Sequence, residues 1–456
     1  MNVKKSIVGT ISIGALVVLT GCAGGASTAA TSSPAVAFNT NVSGDLKAWA
    51  FDNADDVGKA RMKYAEEKLT GLNVTLDQTS FDAQKFTTRT ASGDVPDVVQ
   101  MSRSYVATYA AQELIQPLDQ CYAAHGVDAE KYFYPAVTSQ VKYKDHIWGV
   151  PQFYQPAAII ANTDVLKDAG ITVGEIDTSQ PEKLLAAIGK AYAEKGGNPA
   201  VLGFDPVATG QIELWFLGLG GKLHEEDGTP SLDKPENVEV ISFLKKIYDA
   251  QGGFAKVRSM SDSFDVFGDK NQFVSGQVAA QVNAQWYVNV LSPYAKDLNI
   301  TGIPFKDRQG QITTAASGTV FVIPTGAKNK DAACAWMLSL VEQEAWMAAG
   351  EARAKTLKEK PGSINTGLFT GSPGPDEAIR SQFVKASGNQ GFDETIKTFY
   401  EVLPHGKPIG SSPAGETITA ELKNAVTSAL LGEKTPEQAL KDAQGASMRS
   451  FEQFQE

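Results

Sequence analysis

The chain is 456 residues long, carries a formal net charge of −11, is 42% hydrophobic and contains three cysteines. Its carboxylates are spread along the chain and no basic patch offsets them, which argues against nucleic acid or anionic lipid as a binding partner. The length suits two lobes at about 100–200 residues each.

Met1-Asn2-Val3-Lys4-Lys5 precedes an apolar run from Ile7 to Leu19, which ends in Leu19-Thr20-Gly21-Cys22. Two lysines before a short apolar run have the layout of an export signal, and the run falls short of the about 20 residues of a permanent span. Small residues ahead of a cysteine resemble the bacterial lipobox, in which the thiol is linked to diacylglycerol and cleavage leaves that cysteine first. Residues 1–21 are then a signal peptide and Cys22 the lipidated first residue; losing Lys4 and Lys5 takes the net charge from −11 to −13. The plain alternative is an ordinary signal peptide with an incidental cysteine. Residues 22–43, mostly Ala, Gly, Ser, Thr and Asn after the cysteine, read as a flexible tether. Cys121 and Cys334 either pair in an oxidising exterior or stay as separate buried thiols.

From Gly44 strand-like and helix-like segments alternate, the pattern of an α/β domain with a largely parallel sheet. Strands are expected at Leu46–Phe51, Val74–Leu76 and Asp97–Met101, with helices at Val57–Leu69, stopped by Gly71, and at Asp82–Ala91. A second series starts with a strand at Ala157–Asn162 and continues with helices at Pro181–Lys195, Ile212–Leu219 and Val238–Gln251. Asp227-Gly228 suits a hairpin turn between them. Further strands are expected at Val278–Asn283 and Val320–Ile323. From Asp331 the chain reads as mainly helical, with Pro436 opening a last helix.

Particular strings resemble the bacterial extracellular solute-binding proteins of carbohydrate ABC importers. Ala91-Ser92-Gly93-Asp94-Val95-Pro96-Asp97-Val98-Val99 is similar to the family's "ASGDxPDVV", and Gln116-Pro117-Leu118-Asp119 to its "xPLD". Asp145 to Pro151 with Ala157 to Leu166 resembles "DGKxYGxPY…xxYNKDLFxxAG"; Phe273 to Trp286 and Gly318 to Lys330 resemble "FxxGxAAMxxxGxW" and "GGxxxxIPxGSKNK". The family's "TWdEL" is missing after Gly170, and Ala284 stands where it has a glycine, which weakens the transfer of any one sugar specificity. The resemblance implies a two-lobed, periplasmic-binding-protein-like α/β fold that closes on ligand like a flytrap, with discontinuous lobes and a helical C-terminal part. Crossings are expected near Gln155, Ala316 and Ile364, giving one lobe of 44–155 plus 316–364 and another of 156–315 plus 365–456. It further implies a monomer without cofactor, held to the outer face of the cell membrane (or in a periplasm) through Cys22. That monomer would deliver sugar to membrane permease subunits that a separate cytoplasmic ATPase drives.

In open α/β sheets ligands sit beyond the carboxyl ends of strands. That rule selects Asp52, Asn53, Phe81, Asp82, Ser102 and Arg103 in one lobe, and Asp205, Gln285, Trp286 and Tyr287 in the other. Tyr154 and Gln155 belong to the crossing segment, with Ser317 on the returning one, and Trp215 completes the set. A sugar needs planar hydrogen-bond partners for its hydroxyls and an aromatic ring for its C–H faces, and these residues supply both. Trp286 follows an apolar strand directly, and the family places a ligand-stacking tryptophan there. Each has a structural alternative: lobe packing for Trp286 and Trp215, a helix N-cap for Asp52, a turn before Pro206 for Asp205, an internal carboxylate partner for Arg103.

Enzyme signatures are weak. His125, His146, His224 and His405 have no metal-ligand spacing, and there is no Gly-x-Ser-x-Gly elbow and no phosphate-binding loop. A lipid-anchored glycosidase needs only two carboxylates across a cleft and stays open as an alternative, as do a surface adhesin or sensor and an importer component for a polar non-sugar solute.

Overall fold

A computed structural model describes residues 37–51, 55–208, 212–360 and 362–454. The leader, Cys22 and most of the tether lie outside the described residues, as do Asp52 and Asn53. In chain order the main elements are β1 (Gly44–Trp49), α1 (Asp56–Lys68), β2 (Leu72–Asp77), α2 (Ala83–Ser92), β3 (Val98–Ser102) and α3 (Val106–Ala111). Next come β4 (Val150–Gln152), β5 (Ala157–Asn162), α4 (Pro181–Ala191), α5 (Ile212–Leu219), α6 (Pro235–Asp249), α7 (Phe254–Ser261), β6 (Ala280–Ala284) and β7 (Ile300–Ile303). The last third holds β8 (Thr319–Val322), α8 (Lys330–Val341), α9 (Gln343–Lys358), α10 (Pro373–Phe383), α11 (Gln390–Val402), α12 (Gly415–Leu431) and α13 (Pro436–Glu452).

Local chemistry sets these boundaries. The Asp55 carboxylate accepts the Gly58 N–H and begins α1, the Asp82 carboxylate accepts the Lys85 N–H and begins α2, and Gly93, at φ 71°, ends α2 in the left-handed region. Helix α4 stops four residues before the expected Lys195 because 193–195 and 198–201 pair as a hairpin around Gly196 and Gly197, both at positive φ.

Two sheets organise the chain. The first has the order β2-β1-β3-β8-β4, with β1 parallel to β2 and β3, and β8 antiparallel to β3 and β4. The second, β6-β5-β7, is antiparallel in both pairings, which departs from the expected largely parallel arrangement. All six residues of β5 are buried. A strand buried on both faces reads as a continuous apolar run whichever way its neighbours point, so the pattern of residues does not carry direction.

Leu368 and, on α10, Ile379 join Val57, Trp346 and Ala349 in one buried cluster with α1 and α9. Helix α11 lies on β5 and β7, and α12 and α13 pack on each other and on α6. Cys121 and Cys334 are bonded, with Cα atoms 5.8 Å apart across a sequence separation of 213. The end of the supposed tether is docked: Phe38 is buried under the Lys330 ammonium, and Asn39 donates to Asp331 at 2.8 Å. No described helix is long and apolar enough to cross a membrane.

Candidate functional site

The segments 153–155 and 316–318 run side by side between the two sheets. Gln155 donates its N–H to the Ser317 carbonyl at 3.0 Å, and the Ser317 hydroxyl donates back to the Gln155 carbonyl at 3.2 Å. Phe153 takes a φ of 53°, a left-handed conformation that a bulky residue adopts only where its surroundings hold it.

Arg103 holds this crossing. Its guanidinium donates to the carbonyls of Phe153 at 2.8 Å, Ala316 at 2.9 Å and Thr319 at 3.3 Å, and to Gln140 Oε1 at 2.9 Å. The side chain is 2% exposed, and burial lowers its pKa to about 9. Among the described residues its partners are backbone carbonyls and an amide, not the internal carboxylate that was one expectation. Tyr154 is likewise buried, donating its hydroxyl to the Leu403 carbonyl at 3.2 Å, so it supports the crossing from within.

On the first lobe Phe81 is half-buried in an aromatic cluster with Trp49, Phe86, Tyr105 and Tyr109. Asp82, although exposed, spends its carboxylate on the cap of α2. The Ser102 hydroxyl lies 2.9 Å from that of Ser104 at the end of β3. On the second lobe Trp215 is fully buried, edge-on to Phe204 and Phe305, and donates Nε1 to the Pro206 carbonyl at 2.7 Å. No ring face is left for a solute, which corrects the selection of Trp215.

Trp286 behaves differently. It is half-buried just past β6, with its ring stacked on that of Phe267 at 6.0 Å between centroids and 18° between planes. Phe267 is 74% exposed. Gln285 is half-buried and anchors its N–H on the Pro156 carbonyl at 3.1 Å; its side-chain oxygen is buried without a partner. Asp205 and Tyr287 are buried in one polar network. Gln281 Nε2 donates to Asp205 Oδ2 at 3.0 Å, while Gln272 Nε2 and Asn271 Nδ2 reach the Tyr287 hydroxyl at 2.6 and 2.7 Å. Burial raises the Asp205 pKa; the hydrogen bonds and Arg258 oppose it.

Three cavities follow the strand ends and α12. The first, about 50 Å³, touches Ser102, Arg103, Gln140 and Ser317 and reaches Thr419 on α12. Another of about 700 Å³ shares Thr419 and runs past Val207, Ala208, Glu213 and Arg258. The remaining one, about 160 Å³, shares Val207, Ala208, Tyr248 and Arg258 with it and holds Asp205 and Tyr287. The structure thus brings Ser102, Arg103 and Ser317 together at one cavity and Asp205 and Tyr287 at another, while α12 lines the first and the largest of the three, a wall that the sequence reasoning missed. Glu213, a lone carboxylate in the apolar stretch Ile212–Leu219, was a visible signal of a lining residue. Thr419 had none, because only tertiary packing sets its position on α12 beside two of the cavities. Burial raises the Glu213 pKa.

The family model for bacterial extracellular solute-binding proteins matches residues 52–354. The chain belongs to this family. Among solved structures it is similar to CpMnBP1 with mannobiose bound, at 21% identity and a TM-score of 0.70, covering 88% of this chain and 99% of that one. An ABC substrate-binding protein from Listeria monocytogenes in complex with cycloalternan matches at 18% identity and a TM-score of 0.69, covering 90% and 99%. A solute-binding protein of an ABC transporter from Thermotoga lettingae, bound with α-D-tagatose, matches at 19% identity and a TM-score of 0.67, covering 90% and 100%. These likenesses establish the solute-binding family's two-lobed α/β fold for nearly the whole described chain.

Proposed function

We propose that this protein captures a sugar, an oligosaccharide, by closing its two lobes, and delivers it to the permease of an ABC importer. The observation that carries the reading is the group of three cavities with shared lining residues, one at the end of β3, one beside β6 and one along α12, near the strand ends where α/β folds bind ligands. The largest, about 700 Å³, lies within the roughly 300–1,000 Å³ of small-molecule sites. The sugars named for mannobiose-bound CpMnBP1 and the cycloalternan-bound Listeria protein support the solute class.

The solute bridges the lobes, and its differential contacts shift the population from open to closed. Trp286 with Phe267 supplies the stacking surface, and the buried network of Asp205, Gln281 and Tyr287 holds the second lobe's wall in place. The lipobox-like Leu19-Thr20-Gly21-Cys22 supports a lipid anchor at the outer membrane face, and the Cys121–Cys334 bond supports an oxidising compartment. A separate cytoplasmic ATPase supplies the energy, and the binding protein acts as a monomer without cofactor.

Thermal melting of the mature protein against a panel of mono- and oligosaccharides tests this, because a ligand of the native state raises the melting temperature. A panel in which no sugar shifts the melt would contradict the reading. Cys22→Ser releases the protein from the membrane fraction and leaves sugar affinity unchanged; an equal loss of affinity would show that anchor and binding domain are not separable.

A further inference from the structure

The cavity of about 50 Å³ beside the crossing differs in chemistry from the other two. Among the described residues no Asp, Glu or Lys lines it, although the chain as a whole carries a net charge of −11. The other cavities hold Asp205, Asp262 and Glu213.

Its wall contains two buried donors. Gln140 is 6% exposed, and because its Oε1 accepts Arg103 Nε at 2.9 Å, the orientation of the amide is fixed. Its Nε2 is buried and has no partner. A guanidinium has five N–H groups. Arg103 Nη2 uses one hydrogen on the Ala316 carbonyl, and among the described residues no other hydrogen bond and no ion pair with a carboxylate is found for that nitrogen. Burial lowers the Arg103 pKa only to about 9, so the group stays cationic at neutral pH. A buried positive charge without a counter-charge and an amide without an acceptor both favour an anionic oxygen ligand. A water-sized atom needs about 10–15 Å³ of such space, so the cavity seats roughly three heavy atoms, the size of a carboxylate group. Thr419 is in the wall of both this cavity and the largest one.

We propose that the Arg103–Gln140 cavity seats a carboxylate carried by the solute, so that the protein selects oligosaccharides containing a uronic acid. The charged unit lies between β3 and α12, and the neutral units run past Thr419 into the larger cavity. This rests on the sugar-capture reading and narrows it to an acidic sugar.

The test is calorimetric titration of the full mature protein at pH 7 with di- and trisaccharides in matched pairs, each neutral sugar beside the same sugar with one C6 hydroxymethyl oxidised to carboxylate, and with sodium acetate alone. Acidic members should bind at least about 10-fold tighter than their neutral partners, as expected for charge-assisted hydrogen bonds. Gln140→Glu keeps an oxygen for Arg103 Nε but places a negative charge in the cavity, and should bring the acidic-to-neutral affinity ratio down towards one. Neutral members binding as tightly as acidic ones overturns the proposal while leaving sugar capture standing. Acetate binding as tightly as the acidic sugars also overturns it, in favour of a free anion. Absence of binding by either form of every sugar overturns sugar capture as well.

Discussion

Replacing Trp286 with Ala separates ligand stacking from packing. The indole lies just past β6 and stacks on Phe267 at 6.0 Å, while Phe267 itself is 74% exposed. Phe267 therefore packs against little else, and Phe267→Ala should change stability by no more than about 0.5 kcal/mol, as for an ordinary surface substitution. Trp286 also meets Tyr287 edge-on at 5.7 Å, so Trp286→Ala costs some stability in addition. If the two rings form one platform under a sugar, losing the indole removes about 0.5–1.5 kcal/mol of stacking, which is about a 2- to 13-fold rise in Kd. The double variant should then lose less affinity than the two single losses summed, because Phe267 is positioned by the ring it stacks on. Isothermal titration with a sugar found in the melting panel, alongside urea unfolding of each variant, reads both quantities. Unchanged affinity in Trp286→Ala together with lowered stability would refute the platform and leave Trp286 as packing.

Opening the disulfide with Cys121→Ser and Cys334→Ser releases a constraint spanning a sequence separation of 213, for which loop entropy predicts about 5 kcal/mol. Urea unfolding that shows a loss below about 1 kcal/mol would mean that the reduced chain keeps those segments together by itself. Burial raises the Asp376 carboxyl to about 7, against hydrogen bonds from Thr370 and Tyr134, so the folded protein prefers the neutral acid. Its contribution is therefore complete below its ordinary 3.8 and lost as pH rises to about 7. Relative to Asp376→Asn, the stability of the native protein should fall between pH 4 and pH 7 and then level off; parallel pH profiles for the two would contradict the assignment.

The first half of the fold was legible because each boundary has a local cause. Alternating apolar and polar runs with Gly71, Gly93 and Pro181 at their ends marked the strands and helices within a few residues, and Ala157–Asn162, Ile212–Leu219 and Pro436 fell where expected. Strand direction in the second sheet was not legible, since it depends on which buried surface a strand meets. The same limit applies to the site. Strand ends pointed to Ser102, Arg103, Asp205, Trp286 and Tyr287, but a local pattern does not distinguish a charge aimed at solute from one spent on a helix cap, as in Asp82. Trp215 misled for a related reason: its neighbours Phe204, Phe243 and Phe305 come from three separate segments and enclose the ring only after folding. The bond between Cys121 and Cys334 was equally a matter of tertiary proximity.

Solution scattering of the mature protein with and without a sugar that raises its melting temperature tests lobe closure most directly. Capture by closure predicts a smaller radius of gyration in the bound state, with the change abolished by a sugar that does not bind. An unchanged radius at saturating, calorimetrically verified sugar would contradict it and favour a rigid surface adhesin or sensor.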